Sequence, residues 1–182
     1  MPTGHRRSIR LHGYDYHTAG AYFVTICTED RIELFGRVAD GVLEPNDCAR
    51  MIEHWWKELT NRYPGVDSAE FVVMPNHVHG ILWLREPEGA IAVGAALCGR
   101  PRPTDERKTG PMLGQAIGWF KTMTTNAYIR GVKERGWRPF PGRIWQRDYY
   151  EHVIGNDNEL NQTRQYIARN PEQWAEVEYN AK

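Results

Sequence analysis

The apolar and polar positions along the chain predict strands in three places. Residues 22–28 are rich in β-branched and aromatic side chains, which is typical of a strand. Residues 34–43 predict a short hairpin that turns at an Asp-Gly pair. Two stronger strands are predicted over residues 71–74 and 77–84, with a Pro-Asn pair between them.

Apolar residues at helical spacing predict two helices between these strands and after them. The first helix begins at Asn46 or Asp47, whose side chains can cap it, and ends near Leu59. The second helix covers residues 111–128, where one stripe is mostly apolar.

A third helix is predicted after a Gly, Pro and Trp-rich loop. Asn156 and Glu159 are three positions apart at its start, which is a capping-box arrangement. The helix is expected to end near Arg169, because the residue before Pro171 avoids helical backbone.

The order of these elements predicts an α+β sandwich, a mostly antiparallel sheet with helices packed on one face. The 182 residues are expected to form a single domain, and they contain no internal repeat. Several prolines and glycines over residues 86–110 predict a flexible insertion, and residues 1–20 predict a basic N-terminal arm.

Charge is balanced over the whole chain but unevenly distributed along it. The 23 basic and 23 acidic residues exclude a uniformly basic nucleic-acid coat. Residues 1–10 carry three arginines and no acid, and residues 99–147 carry eleven basic and three acidic side chains. Aromatic residues interleave with the second stretch, so a nucleic-acid surface is as well supported as a solvated loop. The side chains predicted to contact DNA are Arg6, Arg7, Arg10, Lys121, Arg143 and Arg147.

Cysteine usage and hydropathy favour the cytoplasm. Cys27, Cys48 and Cys98 lie far apart, which is typical of a reducing compartment rather than of a disulfide scaffold. We expect no signal peptide, because the N-terminal residues lack an apolar core segment. The longest apolar run, residues 90–98, is too short to span a bilayer, so no membrane partner is expected.

The strand over residues 77–84 contains the pair His77 and His79. Side chains alternate between the two faces of a strand, so both imidazoles project from one side while Val78 and Leu82 project into the core. Two imidazoles on a rigid strand are well placed to hold one divalent metal ion. A bare pair of this kind is also compatible with unrelated histidines, and a metal site requires a third donor.

The third helix offers candidates for that donor. Gln162, Tyr166 and Asn170 are four residues apart and therefore share one helix face. A tyrosine that lies one turn from an amide oxygen can put a nucleophile beside a metal ligand. The alternative for Tyr166 is a half-buried packing residue.

The chain resembles the REP-associated tyrosine transposases, relatives of the single-tyrosine HUH transposases. The resemblance spans nearly the whole chain in family order. The HUH block followed by a C-terminal tyrosine block is specific, whereas either block alone would be weak. The matching blocks are residues 6–11 (RRSIRL), 22–27 (YFVTIC), 71–80 (FVVMPNHVHG), 118–121 (GWFK), 145–152 (WQRDYYEH) and 166–171 (YIARNP).

This resemblance implies a ferredoxin-like α+β fold with the histidines on a central strand and the tyrosine on a C-terminal helix. It implies that His77 and His79 are catalytic metal ligands, that Tyr166 is the nucleophile, and that Asn170 is the third ligand. The implied ion is Mg²⁺ or Mn²⁺, although two histidines also tolerate Zn²⁺ or Ni²⁺. The implied reaction is cleavage and rejoining of a DNA strand at a hairpin through a 5′-phosphotyrosine intermediate.

The resemblance also bears on partners and location. We expect single-stranded or hairpin DNA as the partner, in the cytoplasm and associated with the nucleoid. The protein is expected to act as a monomer or a homodimer, without an obligate protein partner.

Other residues compete for roles in the site. Tyr128, Tyr149 and Tyr150 are rival nucleophiles, although the helical position and the motif favour Tyr166. Glu151 and His152 fall in a family block, and we expect them to make a supporting hydrogen bond or a DNA contact rather than to be catalytic.

Two other classes of function are open at the level of sequence. A ferredoxin-like sheet with exposed aromatic residues also suits a non-catalytic module that binds single-stranded DNA or RNA. A metallo-phosphodiesterase acting on small substrates would use the metal ligands but would not need Tyr166. Only the transposase-type enzyme forms a covalent adduct with DNA.

Overall fold

The structure is a computed structural model, and it describes residues 19–85 and 113–174. Most of the predicted N-terminal arm, with Arg6, Arg7 and Arg10, lies outside the described residues. The insertion predicted over residues 86–110 lies outside them as well.

The described residues form six strands in two antiparallel sheets. The main sheet has the strand order β4-β5-β1-β6, and β2 and β3 form a separate hairpin. The predicted strands and the Asp-Gly hairpin are confirmed, and β5 begins and ends where the sequence predicts. The strands are β1 (Gly20–Cys27), β2 (Gly36–Ala39), β3 (Val42–Pro45), β4 (Val66–Met74), β5 (His77–Leu84) and β6 (Tyr150–Ile154).

The described residues also form the three predicted helices, α1 (Asp47–Arg62), α2 (Leu113–Arg135) and α3 (Asp157–Arg169). The Asn46 side chain accepts a hydrogen bond from the Ala49 backbone N–H and caps α1. Asn156 caps α3 by accepting from the Glu159 backbone N–H. Both cap residues were among those that the sequence predicts.

The first face of the main sheet, facing α1 and α2, carries the large hydrophobic core. Strand residues such as Tyr22, Val24, Val78 and Leu82 are fully buried there. They belong to one cluster with apolar side chains of both helices, among them Trp56 and Phe120. The predicted burial of Val78 and Leu82 is therefore confirmed.

The opposite face of the main sheet, here called the histidine face, is covered by α3. Its buried apolar cluster is small and consists of Ala21, Ile81, Leu160 and Ile167. The predicted ferredoxin-like α+β fold, with the histidine pair on a central strand, is confirmed. α1 and α2 share one face as expected, whereas α3 lies on the other and brings the tyrosine block to the histidines.

Strand β6 is the element that the predicted order lacks. It pairs with β1 in antiparallel register, with Tyr150 opposite Thr25 and His152 opposite Phe23. The strand has only five residues and two exposed side chains, so periodicity alone indicates it weakly.

None of the helices formed by residues 19–85 and 113–174 combines the length and hydropathy that a membrane span requires.

Candidate active site

The two histidines of β5 meet on the histidine face. Their Nε2 atoms lie 3.0 Å apart, and both side chains are completely buried. The alternation of β5 makes this possible, because residues two positions apart project from the same side of a strand. The predicted placement of His77 and His79 on one side of the strand is therefore confirmed.

Each histidine is held at its Nδ1 atom by a buried neighbour. His77 Nδ1 lies 2.8 Å from the side-chain oxygen of Asn76. His79 Nδ1 lies 2.7 Å from the hydroxyl oxygen of Thr25 on the neighbouring strand β1. These contacts orient the rings and leave the two Nε2 atoms facing each other.

Burial keeps both imidazoles neutral. Burial lowers the pKa of His77 to about 4, with a further lowering from the positive charge of Arg31 and an opposing contribution from the nearby carboxamide of Asn170. Burial, followed by the charge of His77, holds the pKa of His79 well below its usual value. Neutral imidazoles are the form that binds metals.

Tyr166 of α3 lies against this pair. Its hydroxyl oxygen is 3.4 Å from His79 Nε2, and its ring packs edge-on against His79. The ring of Phe23 on β1 contacts both Tyr166 and His79 and fixes their relative position. Burial raises the pKa of Tyr166, and the nearby carboxamide of Asn170 opposes the rise.

Asn170 lies at the C-terminal end of α3 beside both groups. Asn170 is 1% exposed, and its buried Nδ2 atom has no hydrogen-bond partner among residues 19–85 and 113–174. The oxygen and nitrogen of a carboxamide exchange places when the group turns over. If the Asn170 carboxamide turned over, its oxygen would take the position that the nitrogen now has. The oxygen is the atom of a carboxamide that can bind a cation.

This set of donors fits a divalent ion. Two ligand atoms that are each about 2.1 Å from one ion and at right angles to each other lie about 3.0 Å apart. The separation of the two Nε2 atoms is 3.0 Å. Among residues 19–85 and 113–174, no group of three His, Cys, Asp or Glu side chains could hold a metal ion, so a third ligand from this part of the chain would be of another type, such as Asn170.

The rival tyrosines have other surroundings. Tyr128 is buried in the large core and donates a hydrogen bond from its hydroxyl to the Arg138 carbonyl. The ring of Tyr149 lies under the ammonium group of Lys121. Tyr150 is on the histidine face and 39% exposed, and it contacts Phe23 edge-on. Of these three, Tyr150 is therefore the strongest competitor of Tyr166.

The remaining candidates in the motifs take supporting positions. Glu151 pairs with Val24 in the β6–β1 register, so it projects towards the large core and away from the histidines. His152 Nε2 lies 2.5 Å from Glu159, whose carboxylate also accepts from the Gly155 backbone N–H. Gln162 is exposed on α3.

Three of the residues predicted to contact DNA line one open groove. Lys121, Arg143 and Arg147 surround a space of about 340 Å³ between α2 and residues 143–147. Lys121 donates hydrogen bonds to the carbonyls of residues 146, 147 and 148, so it holds this segment in place. Arg143 and Arg147 are exposed. The groove adjoins the end of the sheet that carries His77, because the Gln146 N–H donates to the Cys27 carbonyl.

The sequence interpretation missed several residues of the site. Thr25 and Asn76 hold the imidazoles, Arg31 supplies the nearby positive charge, and the Trp174 ring stacks on His77. Alternation along the predicted first strand puts Thr25 and Cys27 on one face, but it does not say which strand lies beside them. The pairing of β1 with β5 is the missing information.

Comparison with known proteins gives relatives over most of the chain, although no family model matches it. One relative from Haemophilus influenzae is uncharacterised and is 34% identical over 171 residues, 93% of this chain and 90% of the relative. A second protein of that organism, named "Putative REP-associated tyrosine transposase", is 23% identical and covers 90% of this chain and 77% of its own length.

A solved structure gives a likeness in fold. It is that of a REP-associated tyrosine transposase bound to a REP hairpin, with a TM-score of 0.58 and 19% identity, over 93% of this chain and 76% of the other. The chain therefore belongs to one family with its 34% identical relative. As the motifs predict, that family is the REP-associated tyrosine transposases.

Proposed function

We propose that the protein is a metal-dependent enzyme that cuts and rejoins single DNA strands at REP-type hairpins through a 5′-phosphotyrosine intermediate. The observation that carries the proposal is the position of Tyr166. Its hydroxyl lies 3.4 Å from His79 Nε2, which in turn lies 3.0 Å from His77 Nε2. A nucleophile is thus adjacent to two neutral nitrogens that suit a divalent ion.

His77, His79 and Asn170 would hold the ion, with Mg²⁺ or Mn²⁺ as the proposed species. When bound, it would polarise the scissile phosphodiester and stabilise the charge that builds on its oxygens. Asn76 and Thr25 orient the two imidazoles, a role that neighbours of metal ligands commonly have. The large core behind β5 keeps the strand rigid.

Tyr166 would make the covalent bond. Its phenolic oxygen attacks the phosphorus, the bond from phosphorus to the 3′ oxygen breaks, and the 5′ phosphate stays on the tyrosine. The phenolic proton passes to water, and the departing 3′ oxygen takes up a proton to become a free hydroxyl. Burial raises the pKa of Tyr166, so the nearby Asn170 carboxamide, which lowers this pKa, assists the loss of that proton. Rejoining is the reverse reaction and needs no ATP.

Hairpin DNA is the proposed substrate for two reasons. The structural neighbour is itself bound to a REP hairpin. In this chain, Arg143 and Arg147 are exposed along a groove that adjoins the His77 end of the sheet, where they can contact phosphates of a strand that leads to Tyr166. Arg6, Arg7 and Arg10 are proposed as further phosphate contacts. The corresponding place of action is the cytoplasm, where the protein would associate with the DNA of the nucleoid. A monomer or a homodimer suffices for this chemistry.

A cleavage assay tests the proposal. A labelled hairpin with a single-stranded flank is incubated with the full chain and Mn²⁺, and the products are separated under denaturing conditions. The wild type is expected to give a cut strand and a protein–DNA adduct, and excess chelator should abolish both. Tyr166→Phe should abolish both as well while it retains hairpin binding, because only the phenolic oxygen is lost.

Tyr150→Phe is the matched control, since this tyrosine lies on the same face and also contacts Phe23. It should cut normally. Cleavage without an adduct, unaffected by Tyr166→Phe, would indicate a metallo-phosphodiesterase. Hairpin binding without any cleavage by the wild type would indicate a non-catalytic module.

A further inference from the structure

The two histidines differ in the chemical groups that hold their Nδ1 atoms. His77 Nδ1 faces the carboxamide oxygen of Asn76, and His79 Nδ1 faces the hydroxyl of Thr25. A carboxamide oxygen only accepts hydrogen bonds, whereas a hydroxyl can donate or accept. Asn76 therefore holds the proton of His77 on Nδ1, while Thr25 is compatible with either neutral form of His79.

The contact between the two rings decides which form His79 takes when no ion is bound. The Nε2 atoms are 3.0 Å apart in a fully buried setting. Two unprotonated nitrogens at this distance would point their lone pairs at each other, so one of them must carry a proton. His77 has its proton on Nδ1, and the proton between the rings therefore belongs to Nε2 of His79. In this form the Thr25 hydroxyl donates to His79 Nδ1.

The same pair must be arranged differently when it holds a divalent ion. A ligating nitrogen must present its lone pair, so both Nε2 atoms must be unprotonated. The proton of His79 then lies on Nδ1, and the Thr25 oxygen accepts a hydrogen bond from it. The ring remains neutral throughout, because one N–H bond is lost at Nε2 and one is gained at Nδ1 by exchange with water.

We propose that Thr25 is a positioning residue whose hydroxyl changes from donor to acceptor, and so allows His79 to change tautomer when an ion binds. The proposal rests on the metal role given to the pair under the proposed function. Thr25 is 3% exposed and its hydroxyl lies 2.7 Å from the ring, so it is the group that accompanies the change. His77 requires no change of tautomer, because the Asn76 oxygen holds its proton on Nδ1 both with and without the ion.

Nitrogen NMR of the full chain, labelled in histidine, tests the tautomers directly. Without metal, His77 should be protonated on Nδ1 and His79 on Nε2. With saturating Mg²⁺, which is diamagnetic, both should be protonated on Nδ1. Protonation of His79 on Nδ1 in the metal-free protein, or of His77 on Nε2, would overturn the proposal.

Variants of Thr25 give a second readout, which is their affinity for Mn²⁺. The affinity is obtained by measuring the concentration of unbound Mn²⁺ during a titration. Thr25→Val keeps the shape but removes the hydroxyl, so His79 Nδ1–H would lose the Thr25 acceptor, and the affinity should fall about tenfold. Thr25→Ser keeps the hydroxyl and should bind within about twofold of the wild type. Thr60→Val, at an exposed threonine of α1 that accepts from the Ser68 N–H, is the control and should not change the affinity.

The outcomes separate this inference from the proposed function. If the wild type binds Mn²⁺ and Thr25→Val binds it equally well, the role of Thr25 is wrong and the metal site stands. If the wild type binds neither Mn²⁺ nor Mg²⁺, both the metal role and the tautomer change are wrong.

Discussion

The two faces of the main sheet carry different kinds of side chain. The face towards α1 and α2 is lined by aliphatic and aromatic residues, and its buried cluster includes Trp56, Phe120 and Tyr128. Among the described residues, the cluster on the histidine face has four buried apolar side chains, and the imidazoles, Tyr166 and Asn170 lie on the same face. Packing on the first face supports stability, whereas the second face carries the polar groups of the proposed active site.

Strand β5 belongs to both faces at once. Val78 and Leu82 project into the large core, and His77 and His79 project from the other side. Because burial on the first face fixes the register of the strand, the histidines are positioned by residues that have no part in the proposed reaction. Substitutions on the two faces should therefore separate stability from activity.

His79→Ala should have the largest effect on activity and a modest effect on stability. The variant loses a proposed metal ligand, and DNA cleavage should fall by about a thousandfold, the upper end of the range for loss of one stabilising group. Its urea midpoint should change less than that of a large-core variant. Cleavage by His79→Ala at the rate of His54→Ala, a variant of an exposed histidine on α1, would contradict the assignment.

Trp56→Ala should have the converse effect. The side chain is 1% exposed and stacks on Phe71, so its removal should cost about 3–5 kcal/mol of unfolding free energy. Urea denaturation measures this loss, with Trp55→Ala as the half-buried control on the same helix. Any variant that remains folded should still bind Mn²⁺, and a loss of Mn²⁺ binding greater than the unfolded fraction would refute the separation of the two faces.

Gly80→Ala tests the close packing directly behind the histidines. A methyl group at this position would meet the ring of Trp56, and also that of Phe71 at 3.0 Å. Overpacking of this kind should destabilise the fold by about 1–3 kcal/mol. Gly118→Ala is the matched control, because nothing lies within 4 Å of an added methyl there, and it should stabilise α2 by about 0.5–1 kcal/mol. Equal unfolding free energies for the two variants would contradict the packing described.

Glu159→Gln should have the smallest effect, and one that depends on pH. The Gly155 N–H bond, and then the contact with His152, hold the pKa of Glu159 below its ordinary value of 4.5. The folded state therefore favours the ionised carboxylate. The stability that this provides is fully present above pH 4.5 and is lost as the pH falls through the lower folded pKa. Denaturation at several pH values should show that the wild type has a higher free energy of unfolding than Glu159→Gln, by a difference that shrinks below pH 4.5. A difference that grows below pH 4.5 would contradict this role of Glu159.

The sequence predicts most of this arrangement because the features that carry it are local. Strand alternation places His77 and His79 together, and helical spacing places Tyr166 one turn from Asn170. Helix caps are equally local, since Asn46 accepts from the Ala49 N–H, which lies within one turn of it. The same motifs predict the family, and this prediction is confirmed.

The remaining features depend on pairing between distant segments. Thr25 contacts His79, 54 residues away, only because β1 lies beside β5. Lys121 illustrates the same limit, because its basic charge predicts a DNA contact while the structure shows its ammonium group bound to carbonyls of residues 146–148. Sequence composition describes what a side chain can do, and long-range packing decides what it contacts.

Mass spectrometry of the trapped protein–DNA adduct is the most direct test of Tyr166 as the nucleophile. The wild type is incubated with the hairpin and Mn²⁺, digested with protease and nuclease, and searched for the peptide that carries the residual nucleotide. The nucleotide is expected on Tyr166 and nowhere else. A nucleotide on Tyr150 or Tyr149 would contradict the assignment, as would a cut hairpin that leaves every tyrosine unmodified.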